Sequence, residues 1–281
     1  MTHRINKYAS YASRCKPGNH PPPHRESFVF PAPLTIGAYK STSACVEESS
    51  EIGVEIRVLS AGAVEPGIEK VIGQFRRETG RRLNVAFATA PTILKRVGGG
   101  ETFDVVIAPA AVLDDLVKAG KIPLAERVTV GRIGVGVAVR DGAPAPKIAT
   151  VDEFKQSLLD AESVVYNQAS TGTYVESLFD RLGIAAQLKA KATRYPDFAA
   201  VLSHLCRGKG DEIGLGATTV IIEGKDKGLK FVGPLPSAIQ NYTTYVATVA
   251  AEDAARDAAG EFVRYLASPA ARTALAAAGI E

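Results

Sequence analysis

The chain of 281 residues is long enough for one large domain or two smaller ones. Its 46% hydrophobic content can build substantial cores, and its net charge of +3 is too small to indicate binding to nucleic acid or an anionic membrane. No stretch reaches the roughly 18 apolar residues of a membrane span. The cysteines Cys15, Cys45 and Cys206 form no disulfide framework, although Cys15 and Cys45 could pair, so they leave the compartment open.

Residues 1–53 differ in composition from the rest of the chain. Prolines and polar residues gather here without helical or strand periodicity, so we expect a disordered or loosely attached extension. Translated sequence upstream of the true start is the alternative. The apolar run 28–38 is short and interrupted by prolines, so it is a poor export signal.

From residue 54 onward, apolar runs alternate with amphipathic stretches. We predict strands at 55–59, 83–88, 103–108, 133–139, 163–166, 212–215, 231–232 and 242–250. We predict helices from Pro66 to Gly80, at 91–97 and 112–119, from Thr150 or Asp152 to 159, at 174–182, from Asp197 to 205, after 216–219, and at 252–267 and 269–278. This alternation favours parallel sheets covered by helices and joined by right-handed crossovers.

Two short loops, 60–63 and 170–173, organise the predicted binding site. Each follows a strand and opens a helix, so its free backbone amides and the positive end of a helix dipole converge on one spot. Open α/β sheets bind ligands beyond the carboxyl ends of their strands, so we predict that the loops face each other across a cleft. The junctions 89–92 and 216–218 add further donors.

Tyr242 is a candidate aromatic for the same cleft, together with Tyr166, Tyr174 and Tyr245. The predicted ligand-binding residues are Ser60, Ala61, Gly62, Ala63, Thr89, Ala90, Thr92, Ser170, Thr171, Gly172, Thr173, Gly216 and Tyr242. Each of them also has a purely structural explanation, as a helix cap, a turn or a packing residue. No Lys or Arg lies in the loops, so a bound charge would meet amide dipoles rather than salt bridges.

Catalytic signatures are missing from this pattern. His204 is the one histidine beyond the N-terminal extension, and Cys206, two residues later, points away from it on a helix. No zinc, dinucleotide, phosphate-loop or hydrolase motif is present. We therefore predict no catalytic residues, no metal, no cofactor and no enzymatic activity.

Several segments resemble a known family in order and spacing. They are VLSAGA (58–63), VAFATAPT (85–92), FDVVI (103–107), TGTY (171–174), IGLG (213–216) and FVRYLASPAA (262–271). On these segments the chain resembles the type II periplasmic solute-binding proteins, and it is most similar to the molybdate-binding proteins of ABC importers, as a divergent member.

The resemblance implies a two-lobe α/β fold. Each lobe would be a mostly parallel sheet flanked by helices, with two crossover strands between the lobes. Residues 54–132 plus 248–281 would form lobe I, and residues 133–247 would form lobe II. A hinge motion would close the lobes on a small anionic solute.

The resemblance also implies a role in import. The protein would be a periplasmic monomer that binds a small solute and docks on ABC permease subunits, without contacting nucleic acid. A cytoplasmic ligand sensor of the same architecture is the alternative. The molybdate-binding family places serine hydroxyls where this chain has Ala63 and Ala90, and each loss would cost a buried dianion roughly 1–3 kcal/mol. A larger organic anion is therefore as plausible a ligand as an oxyanion.

Overall fold

The computed structural model describes residues 55–252 and 255–281. The strands are β1 (Ile56–Ala61), β2 (Leu83–Ala88), β3 (Val105–Pro109), β4 (Arg127–Arg140), β5 (Ser163–Asn167), β6 (Ala192–Tyr195), β7 (Glu212–Ala217), β8 (Leu229–Pro234) and β9 (Tyr242–Val249). The helices are α1 (Glu65–Thr79), α2 (Ala90–Gly98), α3 (Ala110–Lys118), α4 (Val151–Asp160), α5 (Ser170–Arg181), α6 (Ala185–Leu188), α7 (Phe198–Arg207), α8 (Thr218–Glu223), α9 (Arg256–Tyr265) and α10 (Pro269–Ala276). The predicted extension 1–53 lies outside the described residues.

The strands form two groups of parallel strands, and the long antiparallel strand β4 connects the two groups. Strand β1 pairs in parallel with β2 and β3, and β5 pairs in parallel with β6 and β7. The first half of β4 pairs with β9, which also pairs with β3, and its second half pairs with β7 and β8. This arrangement confirms the predicted α/β class, with mostly parallel sheets flanked by helices and strands that cross between them.

Buried apolar side chains form separate clusters on the two halves of the sheet. The largest packs α1 and α9 against β1–β3, and its rings Phe75 and Phe262 meet edge to face with centroids 5.2 Å apart. A second cluster packs α4 and α5 against β5, around Phe154 and Phe179. The lobe boundaries 54–132 with 248–281, and 133–247, stay a prediction.

Local signals place several helix ends as expected. Helix α1 stops at Gly80, whose φ of 71° is the left-handed conformation that glycine adopts at low cost. Thr150, rather than Asp152, begins α4 through a capping box with Glu153. Asp197 caps α7 by accepting a hydrogen bond from the amide of Ala200, 2.9 Å away.

Other boundaries differ from the predicted ones, and strand pairing explains the longer β1 and β4. Strand β1 continues through Ser60 and Ala61, which pair with β2, so these residues belong to a strand and not to a loop. Helix α5 begins at Ser170 instead of 174. Strand β4 begins at Arg127 because its first residues pair with β9, and the exposed strand β6 carries no apolar pattern that could have predicted it.

Candidate functional site

A cavity of about 580 Å³ lies at the carboxyl ends of the parallel strands. Its wall includes residues from the junctions β1–α1, β2–α2, β5–α5 and β7–α8, so the fold brings the four predicted loops to one place. The predicted binding residues found in the wall are Ala61, Gly62, Ala63, Thr89, Ala90, Thr92, Ser170 and Thr171. Their role in binding stays a prediction.

Two of the predicted serines and threonines lie outside the wall. Ser60 is fully buried in β1, and its hydroxyl donates to the carbonyl of Ala61 at 3.4 Å. Thr173 is exposed, and its hydroxyl accepts a hydrogen bond from Arg194 at 3.2 Å. Both hydroxyls are used within the protein.

Gly172 and Gly216 also lie outside the wall, and close packing explains both. A Cβ at Gly172 would lie 1.6 Å from the carbonyl oxygen of Asn167, so only glycine lets α5 start this close to the end of β5. A Cβ at Gly216 would lie 2.4 Å from the ring of Phe198. Both glycines therefore allow the wall residues Asn167 and Phe198 to lie where they do.

The cavity's tyrosine is Tyr245 and not Tyr242. Tyr242 is 44% exposed and stacks under the guanidinium of Arg132, 4.6 Å from its ring centroid. Tyr245 lies three positions later in β9, on the opposite face of the strand, and is 3% exposed in the cavity wall. Its hydroxyl has no hydrogen-bond partner among the described residues, and burial raises its pKa above the ordinary value.

Most of the helices that begin at the cavity have no side-chain cap. The amides in the first turn of a helix have no partner within the helix, and a Ser, Thr, Asp or Asn cap usually satisfies one of them. No side chain caps the starts of α1, α2, α3, α5 or α8, whose first residues or N-caps lie in or beside the wall. Helix α7, which also begins in the wall, is capped by Asp197. Among the helices that begin elsewhere, α4 and α10 are capped, whereas α6 and α9 are not. The cavity thus gathers helix starts without side-chain caps, and at α1 the first amide, that of Glu65, donates to the carbonyl of Gly62 in the preceding 3-10 turn.

Hydroxyl groups add further donors to this wall. Ser170 and Thr171, at the start of α5, have no side-chain hydrogen bond within the described residues. Thr89 and Thr92 bond to each other, with their oxygens 3.0 Å apart. The site therefore offers a ligand free hydroxyls on the α5 side, together with that of Tyr245.

The charged side chains of the wall are mostly paired already. Arg96 binds Glu101 with an Nε–Oε2 distance of 2.7 Å, and Lys227 binds Glu223 at 2.8 Å. Asp197 caps α7. Glu65, the first residue of α1, is half-buried in the wall.

The environment of Glu65 disfavours its ionised form. Burial raises the pKa of this carboxyl above 4.5, and the negative charges of Glu69 and Glu223 raise it further, against an opposing effect of Lys227. No ion pair or hydrogen bond engages the carboxylate among the described residues. The wall thus contains one carboxylate that is free to accept a proton.

His204 stays outside the cavity wall, as do the groups around it. Its ring nitrogens meet the hydroxyls of Ser163 at 3.1 Å and Tyr195 at 2.8 Å. The thiol of Cys206 donates to the carbonyl of Lys227 at 3.2 Å. These contacts tie α7 to its neighbours.

Residues 55–252 and 255–281 contain neither a metal-binding cluster nor a membrane-spanning helix. No group of three or more His, Cys, Asp or Glu side chains is arranged to hold a metal ion there. No helix there is both long and apolar enough to cross a membrane.

Residues 56–281 match a family of bacterial extracellular solute-binding proteins. The match covers the whole described fold, including every junction at the cavity. The chain belongs to this family.

Solved structures of periplasmic binding proteins share the fold. The periplasmic molybdate-binding protein of Azotobacter vinelandii superposes with a TM-score of 0.66 at 18% identity, over 80% of this chain and 98% of that one. The sulfate-binding protein of Mycobacterium tuberculosis gives a TM-score of 0.63 at 18% identity, over 80% and 86% of the two chains. The resemblance to the type II binding proteins, as a divergent relative of the molybdate binders, is confirmed.

A curated relative corrects one expectation from the sequence. The aconitate isomerase of a Pseudomonas species is 32% identical over 254 residues, which cover 88% of this chain and 95% of the relative. That relative is an enzyme, so the expectation of a chain without enzymatic activity is wrong. The expectation rested on the lack of a nucleophile–base pair, and an isomerase that moves only a proton does not need one.

Sequence reasoning missed the charged residues of the wall. Glu65, Arg96 and Asp197 lie on helices whose cavity-facing side becomes visible only once the strands are assembled. For Glu65 a signal was present: it lies two positions after the loop 60–63, at the first position of the helix.

Proposed function

We propose that this protein binds a tricarboxylate of the aconitate class in the cavity and interconverts its cis and trans isomers. The observation that supports this proposal most directly is the set of helix starts without side-chain caps around one cavity. The identity to an aconitate isomerase along nearly the whole of that relative supports the same substrate class.

The spacing of the donors suits a ligand with several negative groups. The starts of α1 and α2 approach from one parallel group of strands, and the start of α5 approaches from the other. Each uncapped start can receive one carboxylate, with about 1.5–3 kcal/mol for each hydrogen bond to a charged group. A tricarboxylate has three charged groups to place at such starts, whereas a tetrahedral oxyanion presents a single compact charge.

The wall is less suited to a small dianion. Ala63 and Ala90 stand in it and contribute no hydroxyls. The cations Arg96 and Lys227 are already neutralised by acidic partners. The volume of about 580 Å³ lies within the range of roughly 300–1,000 Å³ that is typical of sites for organic ligands.

The experiment is a direct assay of turnover and binding. Purified protein is incubated with cis-aconitate, and the trans isomer is followed by proton NMR. In parallel, thermal unfolding is measured with cis-aconitate, trans-aconitate, citrate, molybdate, tungstate and sulfate. We expect conversion to the trans isomer, and about 2.7 kcal/mol of stabilisation at 100 times the dissociation constant of a bound tricarboxylate. The proposal is refuted if aconitate is not converted and does not stabilise the protein.

Solute capture for import is the second candidate. The family description, extracellular solute-binding protein, favours it. In that case a monomer in the periplasm would deliver its anion to ABC permease subunits, as the sequence resemblance implied. Stabilisation by a solute without any turnover would assign the protein to this role.

A further inference from the structure

Glu65 is placed in the cavity where a bound substrate would lie. It is the first residue of α1, directly after the 3-10 turn Gly62–Val64. Its Oε2 would be 3.9 Å from a Cβ built on Gly62, so the carboxylate leans back over the turn that contributes Gly62 and Ala63 to the wall. A ligand bound at the start of α1 would therefore lie next to this carboxylate.

The other acidic side chains of the wall are committed elsewhere. Asp197 accepts the capping hydrogen bond of α7 at 2.9 Å. Glu223 holds Lys227 at 2.8 Å, one turn apart along the chain. Among the described residues that line the cavity, Glu65 is the carboxylate without a hydrogen bond or ion pair.

We propose that Glu65 is the base that carries the proton during isomerisation, an inference that rests on the function proposed above. Aconitate has a carbon–carbon double bond next to a CH₂ group that bears a carboxylate. The Glu65 carboxylate removes a proton from this CH₂, and the C–H electron pair forms a new double bond to the central carbon. The electrons of the old double bond take up a proton at the far carbon, which becomes the new CH₂.

The step conserves atoms and electrons without a co-reactant. The protonated Glu65 donates a proton to the far carbon, so the carboxylate is regenerated in each turnover. Exchange of the carboxyl proton with solvent lets deuterium enter the new CH₂ group in heavy water. The product has the same connectivity as the substrate, and its geometry is set by how the helix starts hold the three carboxylates. A single base on one face of the substrate is therefore sufficient, which explains why no second acid–base residue is required in the wall.

The surroundings of Glu65 suit it to this role. A carbon-bound proton next to a carboxylate is weakly acidic, so a carboxylate of ordinary pKa is a poor base for it. Burial and the neighbouring acids raise the pKa of Glu65. The active form is the ionised one, so activity is lost as the pH falls through this raised pKa, at a pH above the ordinary 4.5.

The test compares Glu65→Gln with the matched control Glu69→Gln. Glu69 lies one turn later in α1 and is exposed outside the wall, so the control removes the same charge from the same helix. Each variant is assayed for conversion of cis-aconitate, for deuterium uptake into the CH₂ group in heavy water, and for thermal stabilisation by aconitate.

We expect Glu65→Gln to lose conversion by about 10²–10⁴-fold, together with deuterium uptake, while aconitate still stabilises it. We expect Glu69→Gln to keep wild-type activity at neutral pH. In this variant the fall in activity at acidic pH should occur at a lower pH than in the wild type, since the charge of Glu69 raises the pKa of Glu65.

The outcomes separate this inference from the function on which it rests. A wild-type protein that neither binds nor converts aconitate overturns the proposed function itself. An active wild type with an equally active Glu65→Gln variant overturns only the role of Glu65. A Glu65→Gln variant that folds but is no longer stabilised by aconitate assigns Glu65 to binding, and that also overturns its role as the base.

Discussion

Substituting Gly172 by alanine should displace the start of α5 from the cavity. The new Cβ would lie 1.6 Å from the carbonyl oxygen of Asn167, whereas ordinary contact begins at 3.4 Å, so about 1.8 Å of separation is required. The obstacle is backbone, which cannot rotate away as a side chain does. We therefore expect a cost at the upper end of overpacking penalties, about 3 kcal/mol or more.

The matched control is Gly73→Ala, the same substitution inside α1. There the nearest atom to the new Cβ is the flexible guanidinium of Arg77, 3.5 Å away. Alanine is the better helix former, so this variant should gain about 0.5–1 kcal/mol. The two substitutions should thus change stability in opposite directions.

Urea and thermal unfolding measure both variants. For a folded unit of this size, 3 kcal/mol corresponds to a fall of about 6–12 °C in Tm. Gly172→Ala should also bind aconitate more weakly than wild type, because Ser170 and Thr171 move with the helix start. An alanine variant at 172 with wild-type stability and affinity would refute the packing argument.

Three further substitutions probe the site and its frame. Tyr245→Phe should leave stability unchanged or slightly raised, because the hydroxyl has no partner among the described residues. The binding free energy for aconitate, measured by calorimetry, should weaken by about 1.5–3 kcal/mol, and an unchanged affinity would show that Tyr245 does not contact the ligand. Thr219→Val deletes the 2.6 Å hydrogen bond from the Thr219 hydroxyl to the carbonyl of Ala63 and should lower the free energy of unfolding in urea by about 0.5–1.5 kcal/mol. An unchanged free energy would show that this contact between α8 and the cavity turn does not stabilise the fold. Thr150→Ala breaks the capping box of α4, which lies outside the wall, and should lower the free energy of unfolding by about 1 kcal/mol without affecting turnover. A large loss of activity would contradict the location of the site.

The alternation of strands and helices was readable from the sequence, as were the strand-to-helix junctions that line the cavity. Periodicity is a local property, so the apolar face of α1 and the stop at Gly80 follow from neighbouring residues alone. The junctions 60–63, 89–92, 170–173 and 216–218 were predicted to meet because parallel strands end at a common edge. The structure brings all four to one cavity.

The sequence could not decide which side chains of those junctions face the cavity. Ser60 and Gly172 lie one position from wall residues, and only strand pairing and helix placement separate them from their neighbours. Tyr242 and Tyr245 differ by three positions in β9, and the register against β3 and β4 puts one on the surface and the other in the wall.

The prediction that the chain has no enzymatic activity was wrong, and it depended on the lack of a catalytic motif. Such motifs report only residues whose chemistry requires a fixed partner nearby in sequence or a metal-ligand spacing. A lone carboxylate such as Glu65 has no such signature, since its pKa is raised first by burial, which depends on the tertiary structure, then by Glu69 one turn away and by Glu223, which is distant in sequence.

Local sequence thus determined the order of the elements, their amphipathic faces and the existence of strand-to-helix turns able to bind an anion. The tertiary structure decided which turns lack caps around a shared space and which side chains enter it. The physical reason is that backbone periodicity acts over a few residues, whereas burial and charge at a cavity are sums over segments far apart in the chain.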